Sequence, residues 1–222
     1  MTMKLKKFTS VILTLALIMV MISPVCALAA DPVVGILTIF AVPMESSVPF
    51  LETGHAWISF KCTTWPAVEI GGLSVSVNSE VTVGTYGNIP EHDGMWYNVE
   101  SYIANHSYYY LGRVSLSMQV TRSQVAVLNN IIDQYDYWSL RINCASFAEA
   151  AWNAVSADNV DAGSPDNPGD LSESIMSYDY YEEMRPIVYN STIGYVEGAI
   201  WHSYNPAIAT NATNESTPSI GE

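Results

Sequence analysis

The hydrophobic pattern of this chain changes period once, near Thr121, and that change limits the fold more than any other feature. From Gly54 to Met118 the sequence is a series of short segments in which polar and apolar residues alternate, a pattern typical of strands. After Thr121 the apolar residues recur at helical spacing. Strands that follow one another along a chain commonly pair antiparallel. The sequence therefore predicts an α+β fold, in which an antiparallel sheet packs against helices.

Turn residues divide the β-rich part into separate strands. The best of these is GHAWISF at 54–60, which alternates and is rich in aromatic and β-branched residues. Further strands are predicted at 69–70 and 73–77 around a Gly71-Gly72 turn, and at 80–86, 96–102 and 108–118.

Two helices follow, and each has a recognisable start. Thr121 and Gln124 form a capping box that predicts a helix over 122–135. The second helix begins near Cys144, with Asn143 at the position of an N-cap. Its predicted apolar face is Ala148, Ala151, Trp152 and Val155. A loop over 158–170 and a short helix over 171–178 complete the predicted elements.

The N-terminus has the three parts of a secretory signal peptide. Three lysines between positions 4 and 7 precede the apolar run 11–20, and Ala27-Leu28-Ala29 matches the small-residue cleavage pattern. We interpret residues 1–30 as a signal peptide, 31–204 as one domain and 205–222 as a disordered tail. A retained membrane anchor is the alternative, whereas a lipid anchor at Cys26 is disfavoured by the bulky residue before it. The mature protein is expected to be secreted, without stable membrane insertion.

The charge of the mature chain excludes one class of partner. The whole sequence has 8 Lys and Arg against 22 Asp and Glu. Residues 1–30 hold three of the lysines and no acid, which leaves 5 basic against 22 acidic residues and a net charge of −17. A surface this acidic repels phosphate backbones and anionic lipids, so nucleic acid is not an expected partner.

Cys62 and Cys144 are the two cysteines of the predicted mature chain. In an exported protein two cysteines commonly form a disulfide. The other interpretation is that one of them is a reactive thiol. Cys144 is the candidate, because helix N-terminal N–H groups lower the pKa of a thiol and can also receive the oxyanion of a tetrahedral intermediate.

A thiol nucleophile needs an imidazole as its base, and the chain has four histidines. His55 lies on the best predicted strand, directly after Gly54. His202 is the rival strand-borne candidate, whereas His92 and His106 are interpreted as solvated surface residues. None of the four lies three to five residues from another, and phosphate-binding glycine motifs are absent. No metal and no cofactor are therefore expected.

Two segments together resemble the NlpC-type papain-like hydrolases. They are GHAWISF, which contains His55, and NCASFAEAAW, which begins at Asn143 and contains Cys144. The histidine precedes the cysteine, and this order is similar to the circularly permuted branch that includes the lecithin:retinol acyltransferase-like proteins. The resemblance covers about 54–155. It implies a papain-like fold with Cys144 as nucleophile and His55 as general base.

The resemblance also implies a function. It predicts thiol-dependent amide hydrolysis or acyl transfer through a thioacyl-enzyme, with cell-wall peptides as the first substrate class and other amides or lipid esters behind. Glu69, Thr82 and Thr85 are all in range to orient the imidazole, and the sequence does not choose among them. The alternative is a secreted binding module that keeps the fold and joins Cys62 to Cys144 in a disulfide.

Overall fold

A computed structural model of the chain describes residues 30–43, 54–107 and 109–206. The predicted signal peptide of residues 1–30 lies outside these ranges apart from Ala30. The predicted tail of residues 205–222 lies outside them apart from residues 205 and 206.

The described ranges hold four helices and ten strands. The strands are β1 (Val33–Val42), β2 (His55–Cys62), β3 (Val68–Ile70), β4 (Leu73–Val75), β5 (Glu80–Tyr86), β6 (Gly94–Tyr97), β7 (Val114–Thr121), β8 (Glu182–Glu183), β9 (Gly194–Glu197) and β10 (Ile200–Ser203). The helices are α1 (Val99–His106), α2 (Arg122–Gln134), α3 (Cys144–Asn153) and α4 (Pro168–Met176).

Eight of the strands form one antiparallel sheet. Their order is β10-β9-β6-β5-β2-β1-β7-β8, and β3 and β4 form a separate hairpin around the predicted Gly71-Gly72 turn. The longest uninterrupted ladder joins β1 to β2, from Gly35 opposite Cys62 to Val42 opposite His55. The predicted α+β fold with a large antiparallel sheet is therefore confirmed.

Both faces of the central strands are buried, which explains why β1 is an almost continuous apolar run. Leu37 and Ile39 point to the larger core, which is shared with α2, α3 and α4. Phe40 and Trp57 point to the opposite face, where their rings stack 5.1 Å apart. The sheet thus separates two apolar layers, one on each of its faces.

The start of α2 follows the sequence prediction. The Thr121 hydroxyl accepts from the Gln124 N–H, and the Gln124 side chain accepts from the Thr121 N–H. Val125, Leu128 and Ile132 form the buried face of this helix. The predicted capping box is therefore confirmed.

The predicted strand over 96–102 is wrong in its second half. Asn98 adopts a left-handed backbone with φ of 63°, which ends β6, and α1 begins at Val99. Val99, Tyr102 and Ile103 recur at i, i+3 and i+4 and pack in one cluster around Trp96. That helical spacing was present in the sequence, but the aromatic residues of the segment favoured a strand.

Two other predicted boundaries move. The strand predicted over 108–118 begins only at Val114, because Tyr109–Gly112 form turns, and it continues to Thr121. The short helix predicted from residue 171 begins at Pro168, where Asn167 caps it through the Asp170 N–H. None of the helices in the described ranges has the length and apolar character needed to cross a membrane.

Candidate active site

Cys144 is the first residue of α3, and a capping box fixes its position. The Asn143 side chain accepts hydrogen bonds from the N–H groups of Ala145, at 2.9 Å, and Ser146, at 3.3 Å. The Ser146 hydroxyl in turn accepts from the Asn143 N–H. The Cys144 N–H, at the first helical position, has no acceptor within the helix. Its thiol is partly exposed at an electropositive helix end.

His55 is the first residue of β2, and the fold brings it to Cys144. The two side chains are close enough for each to shift the pKa of the other, and both line the same cavity. Eighty-nine positions separate them in the sequence, so the contact depends on the packing of α3 against β2. The structure thus places the two residues that the resemblance pairs side by side.

The electrostatics of this pair favour a thiolate and an imidazolium. Burial lowers the pKa of His55, but the negative charge of Cys144 and the contacts with Cys144 and Glu100 outweigh burial and raise this pKa from 6.5 to about 9. Burial also raises the pKa of Cys144. The positive charge of His55, the contact with its ring and the N–H groups of Ala56 and Ala145 more than offset this and lower the pKa of the thiol.

Glu100 orients the imidazole from α1, on the face of the sheet opposite to α3. Its Oε1 lies 3.2 Å from His55 Nε2, and its side chain is fully buried. Because Nε2 is bonded to the carboxylate, Nδ1 is the ring nitrogen that remains for proton transfer with the thiol. Gly84 on β5 makes room for this contact, since a Cβ there would lie only 3.2 Å from His55 Nε2 and would collide with the carboxylate.

Two hydroxyl groups complete the environment of the carboxylate. Thr82 donates to Glu100 Oε2 at 2.7 Å, and Tyr86 donates to Oε1 at 3.0 Å. The Tyr86 and Tyr110 hydroxyls lie 3.2 Å apart. Burial, followed by the charge of Glu100, raises the pKa of both tyrosines well above 10, so both keep their protons. Buried charge is stable only when paired and hydrogen-bonded, and Glu100 satisfies both conditions.

The three sequence candidates for the orienting residue have different positions. Thr82 reaches His55 only through Glu100, and Thr85 lines the cavity next to Cys144. Glu69 is exposed on β3 and takes no part. Glu100 itself was missed, because its segment was predicted as a strand. The i, i+3 and i+4 spacing of Val99, Tyr102 and Ile103 was the signal that places it on a helix.

The rival base, His202, belongs to a different cluster. It lies on β10, four strands from β2 in the sheet, which is roughly 19 Å away at strand spacing. Its ring stacks on Tyr195 at 4.8 Å, and Tyr195 stacks on His92 at 4.5 Å. The pairing of Cys144 with His202 is therefore wrong in this structure.

The remaining histidines differ from each other. His92 was expected to be solvated, but its side chain is 11% exposed and its Nε2 lies 2.9 Å from Asp136 Oδ1. His106 is exposed at the end of α1, as expected. In the described ranges, no group of three or more His, Cys, Asp or Glu side chains is arranged to hold a metal ion.

Cys62 is buried at the far end of β2, and its thiol donates to the Thr64 carbonyl at 3.2 Å. Seven residues of strand separate it from His55, or roughly 23 Å, whereas a disulfide needs Cα atoms within about 7 Å. Both thiols are free. The disulfide of the alternative hypothesis is therefore wrong, because the strand holds the two sulfurs at opposite ends.

A cavity of about 930 Å³ opens onto the Cys144–His55 pair. Its walls are largely aromatic and apolar, with contributions from Tyr86, Ile103, Tyr109, Leu111 and Trp138. No Lys or Arg is among its described lining residues. Small-molecule sites are typically of this size and character.

Comparison of the chain with protein-family models, with curated proteins and with solved structures finds no match.

Proposed function

We propose that the mature protein is a thiol-dependent hydrolase of amide bonds, in which Cys144 attacks and His55 transfers the proton. The observation that carries the proposal is the arrangement of three side chains beside a cavity: Cys144, His55 next to it, and Glu100 hydrogen-bonded to His55. A nucleophile, a base and a group that orients the base are the three parts that covalent acyl transfer requires. The domain is proposed to be a permuted NlpC-type papain-like domain and to be exported.

The chemistry follows from the protonation states of the pair. The Cys144 sulfur attacks the carbonyl carbon, and the carbonyl electron pair moves to oxygen. The imidazolium of His55 then protonates the leaving nitrogen as the C–N bond breaks, which leaves a thioacyl-enzyme. Neutral His55 next takes a proton from water, and the hydroxide formed releases the acid and regenerates the thiolate. Glu100 stabilises the charged ring throughout.

The cavity walls restrict the substrate. The aromatic side chains favour an acyl portion with apolar surface, and the described lining offers no Lys or Arg to a substrate carboxylate. Peptides are the proposed substrate class, with those of the cell wall first, and other amides or lipid esters are the alternatives. The negative charge of the mature chain favours a diffusing enzyme over one held on anionic wall polymers.

The test is hydrolysis of a panel of peptide amides and p-nitrophenyl esters by the mature protein and its variants. Cys144→Ser and His55→Ala are each expected to lower kcat/KM by about 10³-fold or more, because they act as one unit. Protein treated with an ester that has a good leaving group, so that acylation outruns deacylation, should gain the acyl mass at Cys144 alone.

Cys62→Ser is the matched control, since it removes the other thiol while a hydroxyl can still donate to the Thr64 carbonyl. It is expected to hydrolyse the panel at the wild-type rate. Hydrolysis that survives Cys144→Ser would contradict the proposal, as would acyl mass found on any other residue.

A further inference from the structure

Thr85 carries an unpaired hydroxyl in a buried position. Thr85 Oγ1 and Trp57 Nε1 are the two buried side-chain polar atoms of the described ranges that lack a hydrogen-bond partner. Other buried hydroxyls of the same sheet each have one. They are Thr38, Ser59, Thr82 and Ser115. Leaving a buried hydroxyl unpaired is destabilising, so the exception calls for a partner that the isolated chain lacks.

The position of Thr85 identifies that partner. Thr85 is 2% exposed, yet it lines the same cavity as Cys144 and His55. Along β5 its side chain points to the face opposite that of Gly84 and Tyr86, because successive strand residues alternate. It therefore lies on the side of α3, not on the side of Glu100.

The helix end beside it already offers one donor of the kind an oxyanion needs. Asn143 occupies the N–H groups of Ala145 and Ser146, whereas the N–H of Cys144 has no acceptor within the helix. A single N–H is half of a usual oxyanion hole, which provides two donors about 2.7–3.1 Å from the developing charge.

We infer that the Thr85 hydroxyl is the second donor of the oxyanion hole, a role that rests on the proposed function. When the Cys144 sulfur bonds to the carbonyl carbon, the π electron pair moves to the carbonyl oxygen. The Cys144 N–H and the Thr85 O–H hydrogen bond to that oxygen, and neither gives up its proton. No protein group in the described ranges bonds this hydroxyl, so it is available to the oxyanion in the transition state.

The experiment compares two reactions of the same thiol. Alkylation by iodoacetamide needs only the thiolate, whereas acylation by p-nitrophenyl acetate passes through a tetrahedral oxyanion. Thr85→Val keeps the shape of the side chain and removes the hydroxyl. It is expected to lower the acylation rate about 100-fold, as loss of one oxyanion donor does, and to leave the alkylation rate unchanged. Thr85→Ser should acylate within a few-fold of the wild type.

Thermal unfolding separates this role from a structural one. Thr85→Val should not lower the melting temperature, because it removes an unsatisfied buried group. Thr38→Val is the matched control, since its hydroxyl bonds Ser117 at 2.9 Å and lies outside the cavity lining. It should lower the melting temperature and leave acylation at the wild-type rate.

Two outcomes would overturn the inference, and they are distinguishable. Wild-type acylation in Thr85→Val, with normal alkylation, removes the role of Thr85 and leaves the thiol chemistry intact. A wild-type protein alkylated no faster than free cysteine removes the proposed function and the role of Thr85 together.

Discussion

At the scale of single residues, the pH range of activity should depend on Glu100. The pKa of His55 is about 9, and its proton is stabilised by Cys144 and by Glu100. Glu100→Gln keeps the shape and removes the charge, so the alkaline limb of kcat/KM should move from near pH 9 to lower pH by about 1–3 pH units. The measurement is a pH profile of hydrolysis.

Glu80→Gln is the control, because Glu80 is also a buried carboxylate of the sheet but bonds Ser59 instead of a histidine. Its profile should match the wild type. An alkaline limb that stays near pH 9 in Glu100→Gln would show that Glu100 does not hold the proton of His55.

The same protonation affects stability, with a defined sign. The folded-state pKa of His55 is raised above its unfolded value of 6.5, so the folded state binds this proton more tightly. The resulting stabilisation is complete below about pH 6.5 and is lost as the pH rises through about 9. The proposed activity and the stability of the fold are therefore expected to decline together on the alkaline side.

At the scale of elements, removing either helix cap should lower the stability of the fold, but only one of the two caps should affect the reactivity of Cys144. Thr121→Ala and Asn143→Ala each remove a cap and should each cost about 1 kcal/mol of the free energy of unfolding. Asn143 also holds the Asp166 carbonyl at 2.8 Å and fixes the helix end that bears Cys144. The rate of Cys144 alkylation at neutral pH should therefore fall in Asn143→Ala alone. Denaturant unfolding and alkylation kinetics measure the two effects, and equal alkylation in both variants would contradict this account.

The helices and strands also show which features can be predicted from residues that are neighbours in the sequence. The capping residues Thr121 and Asn143 were predictable because their hydrogen bonds span only three residues. The pairing of His55 with Cys144 was predictable only from the resemblance, since nothing local joins them. Glu100 was not predictable, because it approaches His55 from a helix on the opposite face of the sheet. That arrangement depends on the turn at Asn98 and on the space at Gly84.

At the scale of the whole molecule, the sheet determines which thiols react. Cys62 lies in the larger core and Cys144 at the cavity. Ellman's reagent should therefore titrate one thiol in the native protein of residues 31–222 and two after unfolding, without added reductant. Cys144→Ser should abolish the native signal, whereas Cys62→Ser should preserve it. Absence of free thiol in the unfolded protein would contradict the structure and restore the disulfide hypothesis.

The buried carboxylate of Glu100 limits which residues related proteins can lose independently. Among the groups that hydrogen bond to Glu100, His55 is the one that can be cationic. A related protein that lost this histidine alone would therefore keep a buried carboxylate without a cationic partner. Relatives that abandoned catalysis are therefore expected to have replaced both positions together. Those that retain the acid should retain the imidazole, even where the cysteine has been lost.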